Sequence, residues 1–141
     1  MDTVAVLNRV LSVVRNSLPM YLGDAAQGLL RYRDVRYVET MQQAVADLQG
    51  LAERIAAQIM ENGGVVAPGE FPLEYTALHD LSPDYLIRRT IEYYQRDIRT
   101  VQACAESLTH APYARSLAEE TLGALKGHLE NFEELLAAPT A

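Results

Sequence analysis

Tryptophan is absent from this chain, and cysteine occurs once, at Cys104. A single thiol excludes an internal disulfide and any metal cluster built from cysteines. No apolar run approaches ~18 residues, so no membrane span is expected. The first residues lack a basic stretch followed by an apolar one, so no secretory signal is expected, and a cytoplasmic setting is the default. Positive charge is scarce: 12 Lys and Arg stand against 19 Asp and Glu, giving a formal charge of -7 and a pI near 4.9. Such a surface repels phosphate backbones and anionic lipid, which disfavours nucleic-acid and membrane partners. There is no Ser/His/Asp arrangement, phosphate loop or dinucleotide fingerprint. The enzyme readings that depend on those motifs fall away, and the chain leans towards a non-enzyme.

What is there is helical periodicity. From Arg36 to Gly64 proline is missing, and Val38, Met41, Val45, Leu48, Ala52, Ile55 and Ile59 recur at spacings of three and four. That places one apolar stripe along a single helix over about 34–62, ~40 Å long at 1.5 Å per residue. Asn62-Gly63-Gly64 ends it, since glycine supplies the left-handed conformation a helix C-terminus uses. An earlier helix is predicted over about 3–22, capped by Asp2 or Thr3, with Val4, Leu7, Leu11, Val14 and Leu18 inward. Pro19 should end it near Leu18 or kink it. Ser82-Pro83 opens a third helix, 83–108, with Ile87, Ile91, Tyr94, Ile98, Val101, Ala105 and Leu108 as its stripe. After a break at Thr109-His110-Ala111-Pro112, a fourth helix covers 112–136 with Leu117, Thr121, Leu122, Leu125, Leu129, Phe132 and Leu136 inward.

Four amphipathic stripes in 141 residues are hidden most simply in one all-α domain, a four-helix bundle spanning 1–141. The last connection is about four residues, so its helices must be antiparallel neighbours. The middle connection, 63–82, carries Pro68, Pro72 and two glycine sites, with one short helical turn expected near Leu73–Leu78. It is unusually long for a compact domain. A chain of that length can cross the whole bundle, which allows the third helix to run parallel to the second. The expectation is two antiparallel hairpins joined by one long crossover, up-down-down-up.

Several segments resemble the ferritin-like superfamily. Leu51-AERIAAQIMENGG is similar to the end of the second helix in bacterioferritins and starvation-protection ferritins. Leu117-AEETLGALKGHLENFEEL resembles their fourth helix, and Leu7-NRVL the opening of their first. The resemblance implies a dinuclear metal centre held by one Glu from each of two helices and a Glu-x-x-His pair from each of the others. This chain has no Glu-x-x-His: Thr76, Ser107 and Leu125 stand three before His79, His110 and His128. Laid over the chain, the resemblance puts the ligand positions at Val14, at Asp47 and Gly50, near Ile91, and at Lys126 and His128. Only Asp47 and His128 keep ligand character, and Lys126 brings positive charge. The implied protein is a degenerate member without ferroxidase chemistry.

His128 and Asp47 are therefore the weak metal candidates, each weighed against a plainer role: a hydrogen-bonded helix histidine and a solvated aspartate. Cys104 reads as a small core residue. Tyr94 reads as the aromatic that fills the vacated interior, and Tyr93 as a boundary residue. Gly50 and Gly127 mark a mid-bundle space, either filled or left as a ligand pocket. Arg31 to Tyr37 is a basic, tyrosine-interleaved helix entry. Glu70, Glu74, His79, Asp80 and Asp84 cluster around the crossover and could hold a surface metal. The reading is a non-catalytic bundle that binds a partner or itself, with no cofactor expected and a homodimer formed through the first two helices, near Tyr32 and Tyr37. Its alternatives are a metalloprotein using iron, manganese or zinc at a reduced or relocated site, and a small-ligand carrier.

Overall fold

The computed structural model describes residues 2–25, 35–78 and 82–137. Within them every long element is a helix: α1 Thr3–Arg15, α2 Leu18–Ala25, α3 Val35–Glu61, α4 Pro83–Ser107 and α5 Pro112–Ala137. The class is all-α. The expected first helix is two helices, because Pro19 cannot give the Arg15 carbonyl a hydrogen bond. The chain turns at Asn16 and Ser17, where the Ser17 hydroxyl donates back to the Val14 carbonyl (3.3 Å). Asp2 caps α1 by accepting the Val4 N–H (3.1 Å). Ser82 holds the N-cap position of α4 through its backbone, its carbonyl taking the Leu86 N–H (3.0 Å), and its side chain makes no capping bond.

The end of α3 follows its glycines. Gly63 takes a φ of 76°, the Gly63 N–H bonds the Met60 carbonyl and the Gly64 N–H bonds the Ile59 carbonyl, both at 2.9 Å. That pair of bonds satisfies the last carbonyls and turns the chain back on itself. Gly64 then lies so close to α1 that a Cβ there would overlap the Val4 methyl groups.

From this point the connection climbs along α1. The Asn8 side chain donates to the Val65 carbonyl (2.9 Å) and accepts the Ala67 N–H (2.7 Å). Two turns later the Asn16 side chain donates to the Pro68 carbonyl. Gly69, at φ 75°, packs beside Ser12 and Asn16. Phe71 and Tyr75 then meet Tyr21 of α2, each with ring centroids 5.3 Å away. A 3₁₀ turn, Leu73–Ala77, completes the climb, close to where the sequence placed one. The connection thus starts beside Val4 and finishes beside Tyr21, so it spans the whole of α1.

Among the described residues, α1 lies against α3 and α4, and α5 lies against α4 and α3, with α2 seated on α3. The most extensive contact is between α4 and α5. Leu7, Leu11, Leu18, Leu48, Ile55, Ile59, Leu86, Leu125 and Phe132 are sealed in the shared core. On α4 five of the seven predicted stripe residues, Ile87, Tyr94, Val101, Ala105 and Leu108, are buried; Ile91 and Ile98 are half-buried, and Leu86, Thr90, Tyr93 and Asp97 widen the buried face on one side. No helix among the described residues is long and apolar enough to cross a membrane.

The close approach at Gly64 generates a test. Gly64→Ala should lower stability by ~1–3 kcal/mol, the usual cost of overpacking. Val4→Ala in the same chain should recover most of that loss in a urea-unfolding double-mutant cycle.

Candidate functional site

The middle of the helical core is not wholly apolar. His128 of α5 is buried, and both of its ring nitrogens are engaged. Nε2 lies 2.8 Å from Asp47 Oδ2 on α3, and Nδ1 lies 3.2 Å from the Tyr94 hydroxyl on α4. A carboxylate oxygen can only accept, so Nε2 carries the proton and Nδ1 accepts from the phenol. This tautomer satisfies every member of the chain Asp47–His128–Tyr94 and ties three helices together. Asp47 keeps half of its side chain in solvent (50% exposed), while the His128 side chain is 6% exposed. The chain therefore runs from the surface into the interior.

Tyr94 is fully buried. Its ring meets Phe132 edge-on at 5.5 Å, and the His128 ring lies 6.0 Å away. Burial raises its phenol pKa, and the negative charges of Asp97 and Asp47 raise it further. The inward placement expected for Tyr94 holds; its hydrogen bond to His128 was not expected from the sequence.

One turn beyond Tyr94 stands Asp97, a residue the sequence pattern did not single out. It is 9% exposed and lies between Tyr93 and Tyr94 on the buried face of α4. No hydrogen bond or ion pair to it occurs among the described residues. Burial pushes its carboxyl pKa up to about 6, with the Arg96 charge pulling the other way. Its carboxylate oxygens keep a little contact with solvent, and the sealed side-chain polar atom without a partner among the described residues is Arg89 Nε; even so, a charge so poorly solvated is costly. The signal was legible in principle: Asp97 sits three after Tyr94 and four before Val101, both inward.

Beside Asp97 the crossover contributes an aromatic cluster. Tyr75 packs edge-on against Tyr93, centroids 5.2 Å apart. Arg89 and Arg96 cover Tyr93 with their guanidinium carbons 5.0 and 4.7 Å from its centroid. Arg89 donates to the Tyr93 hydroxyl (2.9 Å), and Arg96 faces Glu74 at 3.6 Å. Tyr93 is thus a second buried aromatic, not a boundary one.

The remaining expected site residues disperse. Among the described residues, no three His, Cys, Asp or Glu side chains converge as a metal ion needs. Lys126 is exposed rather than inside, and Val14 is an ordinary core residue. Gly50 is exposed and Gly127 half-buried, and no atom lies within 4 Å of where a Cβ would stand on either. Cys104 is buried, and desolvation raises its thiol pKa despite the nearby Arg9. Tyr37 is in the core, which removes it from any dimer surface. Tyr32, His79 and Asp80 lie outside the described residues, as does the basic run from Arg31 to Asp34. Two open grooves lie on the surface among the described residues. One of about 450 Å³ lies between the start of α3 and the end of α5; one of about 310 Å³ lies between α1 and α4 over Cys104. No family model, characterised protein or solved structure matches the chain.

Two tests follow from this geometry. Tyr94→Ala should cost ~3 kcal/mol or more, whereas Tyr94→Phe, which removes only the bond to His128, should cost ~1 kcal/mol. For Asp97 the folded-state pKa lies above the ordinary 3.8, so the folded chain binds the proton more tightly. The penalty is absent below about pH 4, grows as pH rises, and is complete above about pH 6. A rise of that size corresponds to ~2–3 kcal/mol. Asp97→Asn should therefore be the more stable protein at pH 7.5, with the gap closing by pH 4, in urea melts across that range.

Proposed function

We propose that this chain is a ferritin-like four-helix bundle that has lost the dinuclear centre and works by association rather than catalysis. The observation that carries this reading is the double engagement of His128. With Nε2 held by Asp47 and Nδ1 by Tyr94, neither ring nitrogen offers a free lone pair to a metal ion. The third requirement, further carboxylates around the same point, is unmet among the described residues. The long climb of the crossover along α1 supports the up-down-down-up connectivity. It turns α4 antiparallel to α1 and sets it in the same sense as α3.

For the association surface, register between α3 and α5 is informative. Arg54 pairs with Glu120, and Asp47 pairs with His128 two turns away along each helix in opposite senses. Continuing that register brings Met60 level with Tyr113, and these side chains are 63% and 82% exposed. Large apolar groups left together in water favour a protein partner or a second copy. The chain's negative charge argues against nucleic acid. Gly50 is exposed at the surface, which gives no support to a small-ligand carrier built around it. A metalloprotein with a relocated site is the competing reading, and Asp97, a carboxylate without a partner, is what favours it.

Metal analysis of protein purified in air should find iron, manganese and zinc far below one atom per chain. Near-stoichiometric metal would reverse the proposal in favour of its competitor. Light scattering on a sizing column should report twice 15.7 kDa, and Met60→Lys with Tyr113→Ser should return it to the monomer mass. A wild-type chain that is strictly monomeric would leave binding to a different protein as the only form of association.

A further inference from the structure

The chain's asparagines stand at positions 8, 16, 62 and 131, and Asn62 alone is followed by glycine. Asn8 and Asn131 lie inside helices, and the next residues, Arg9 and Phe132, carry bulky side chains. Asn16 precedes Ser17, which is buried, and its side chain is spent on the Pro68 carbonyl. Asn62 differs on each count. It stands one residue beyond α3, both it and Gly63 are exposed, and Gly63 takes a φ of 76°. The Asn62 side-chain amide donates to the Gln58 carbonyl (2.8 Å), and the Gly63 N–H donates to the Met60 carbonyl (2.9 Å). Both bonds belong to exposed residues at the end of a helix, where local opening costs least.

We propose that Asn62–Gly63 is a site of self-modification, at which the chain converts its own asparagine to aspartate and isoaspartate and so loosens the stop of α3. When the Gly63 N–H leaves the Met60 carbonyl, hydroxide takes its proton. The nitrogen attacks Asn62 Cγ, and the new N–C bond closes a five-membered imide. The Cγ–Nδ2 bond breaks, and the nitrogen leaves as ammonia with a proton from water, which restores the hydroxide. Water then opens the imide. Attack at Cγ returns the ordinary backbone with an aspartate side chain. Attack at the backbone carbonyl carbon leaves the chain running through Cγ, as isoaspartate. One water is consumed and one ammonia released, and nothing is oxidised or reduced. Glycine matters because a Cβ at position 63 would crowd the closing ring.

The product does not suit the turn it forms in. An aspartate cannot donate to the Gln58 carbonyl, and its charge joins that of Glu61 at the negative end of α3. Isoaspartate also lengthens the backbone by one atom just ahead of Gly64. There the N–H bonds the Ile59 carbonyl, and the Val4 methyl groups leave no room for a Cβ. From Val65 onward the crossover is tied to Asn8. A displaced turn therefore reaches the first anchor of the crossover.

The full chain held at pH 8.5, followed by intact mass and by fragmentation, tests this. A synthetic peptide covering residues 58–67 sets the unrestrained rate. The protein should gain one mass unit at residue 62, with isoaspartate the main product, at a rate within about 100-fold of the peptide's, the cost of opening one frayed turn. Asn62→Gln, whose imide would need a six-membered ring, should stay at its starting mass over the same period. A slower rate in the wild type, or an equal gain in Asn62→Gln, overturns the proposal. The modified chain, separated by its extra negative charge, should exchange the Gly64 and Ala67 amide protons at least about tenfold faster than the unmodified one. Equal exchange overturns the loosening of the stop.

Discussion

Two asparagine side chains on α1 govern the course of the chain between its halves. Asn8 offers both ends of its amide to the backbone at Val65 and Ala67, and Asn16 takes the carbonyl of Pro68. They stand eight residues apart, with Ser12 midway beside Gly69, so one face of α1 is a polar track. An extended segment carries backbone donors and acceptors that helix and sheet ladders would otherwise satisfy. Here α1 provides the partners. A connection of this length without such contacts would be an entropic liability; held along α1, it becomes a strut fixed to that helix over most of its length.

Once α4 is placed, its polar residues have to be accommodated, and the three on its inner face meet different fates. Thr90 returns its hydroxyl to the Leu86 carbonyl at 2.7 Å and so adds no unmet demand. Tyr94 finds His128, which in turn finds Asp47, and the chain ends in water where the carboxylate is well solvated. Asp97 finds nothing comparable. The contrast is chemical: a hydroxyl can bond its own helix, whereas a carboxylate only accepts, and Asp97 is left with the little solvent its oxygens reach. The three-helix link and the lone acid are consequences of one placement, and they differ only in whether a donor happened to lie opposite.

Much of this could be read from residue patterns. The bounds of α3, α4 and α5, the glycine stop after Glu61, the long middle connection and the short 3₁₀ turn were all carried by local chemistry that does not depend on the rest of the chain. The inward position of Tyr94 was legible too. What failed was the assumption that a buried face is made of apolar letters. Ile91 and Ile98 looked like core and are half-buried, while Asp97 did not and is inside, although the other five stripe residues on α4 are buried as expected. Burial is decided by angular position around the helix, and packing from α1 and α5 settles that angle. The meeting of Asp47 with His128 lay beyond reach for a related reason. They are 81 residues apart, and only the α3–α5 register, set jointly with the Arg54–Glu120 pair, brings them together. Gly50 and Gly127 misled for the same cause: the outward side of a helix and its inward side carry the same letter when that letter is glycine.

The polar interior also bears on what kind of protein this is. A core that needed only to hold helices apart would gain stability by replacing Asp97 with a leucine or an asparagine, and natural chains commonly retain such costs where they act. The satisfied chain through His128 and the unsatisfied Asp97 therefore carry opposite messages. The first is architectural, since its bonds are closed and its histidine has no vacancy to offer. The second tells on the ionised protein alone: burial raises the Asp97 carboxyl pKa, so its contribution turns against the fold as pH rises through about 6.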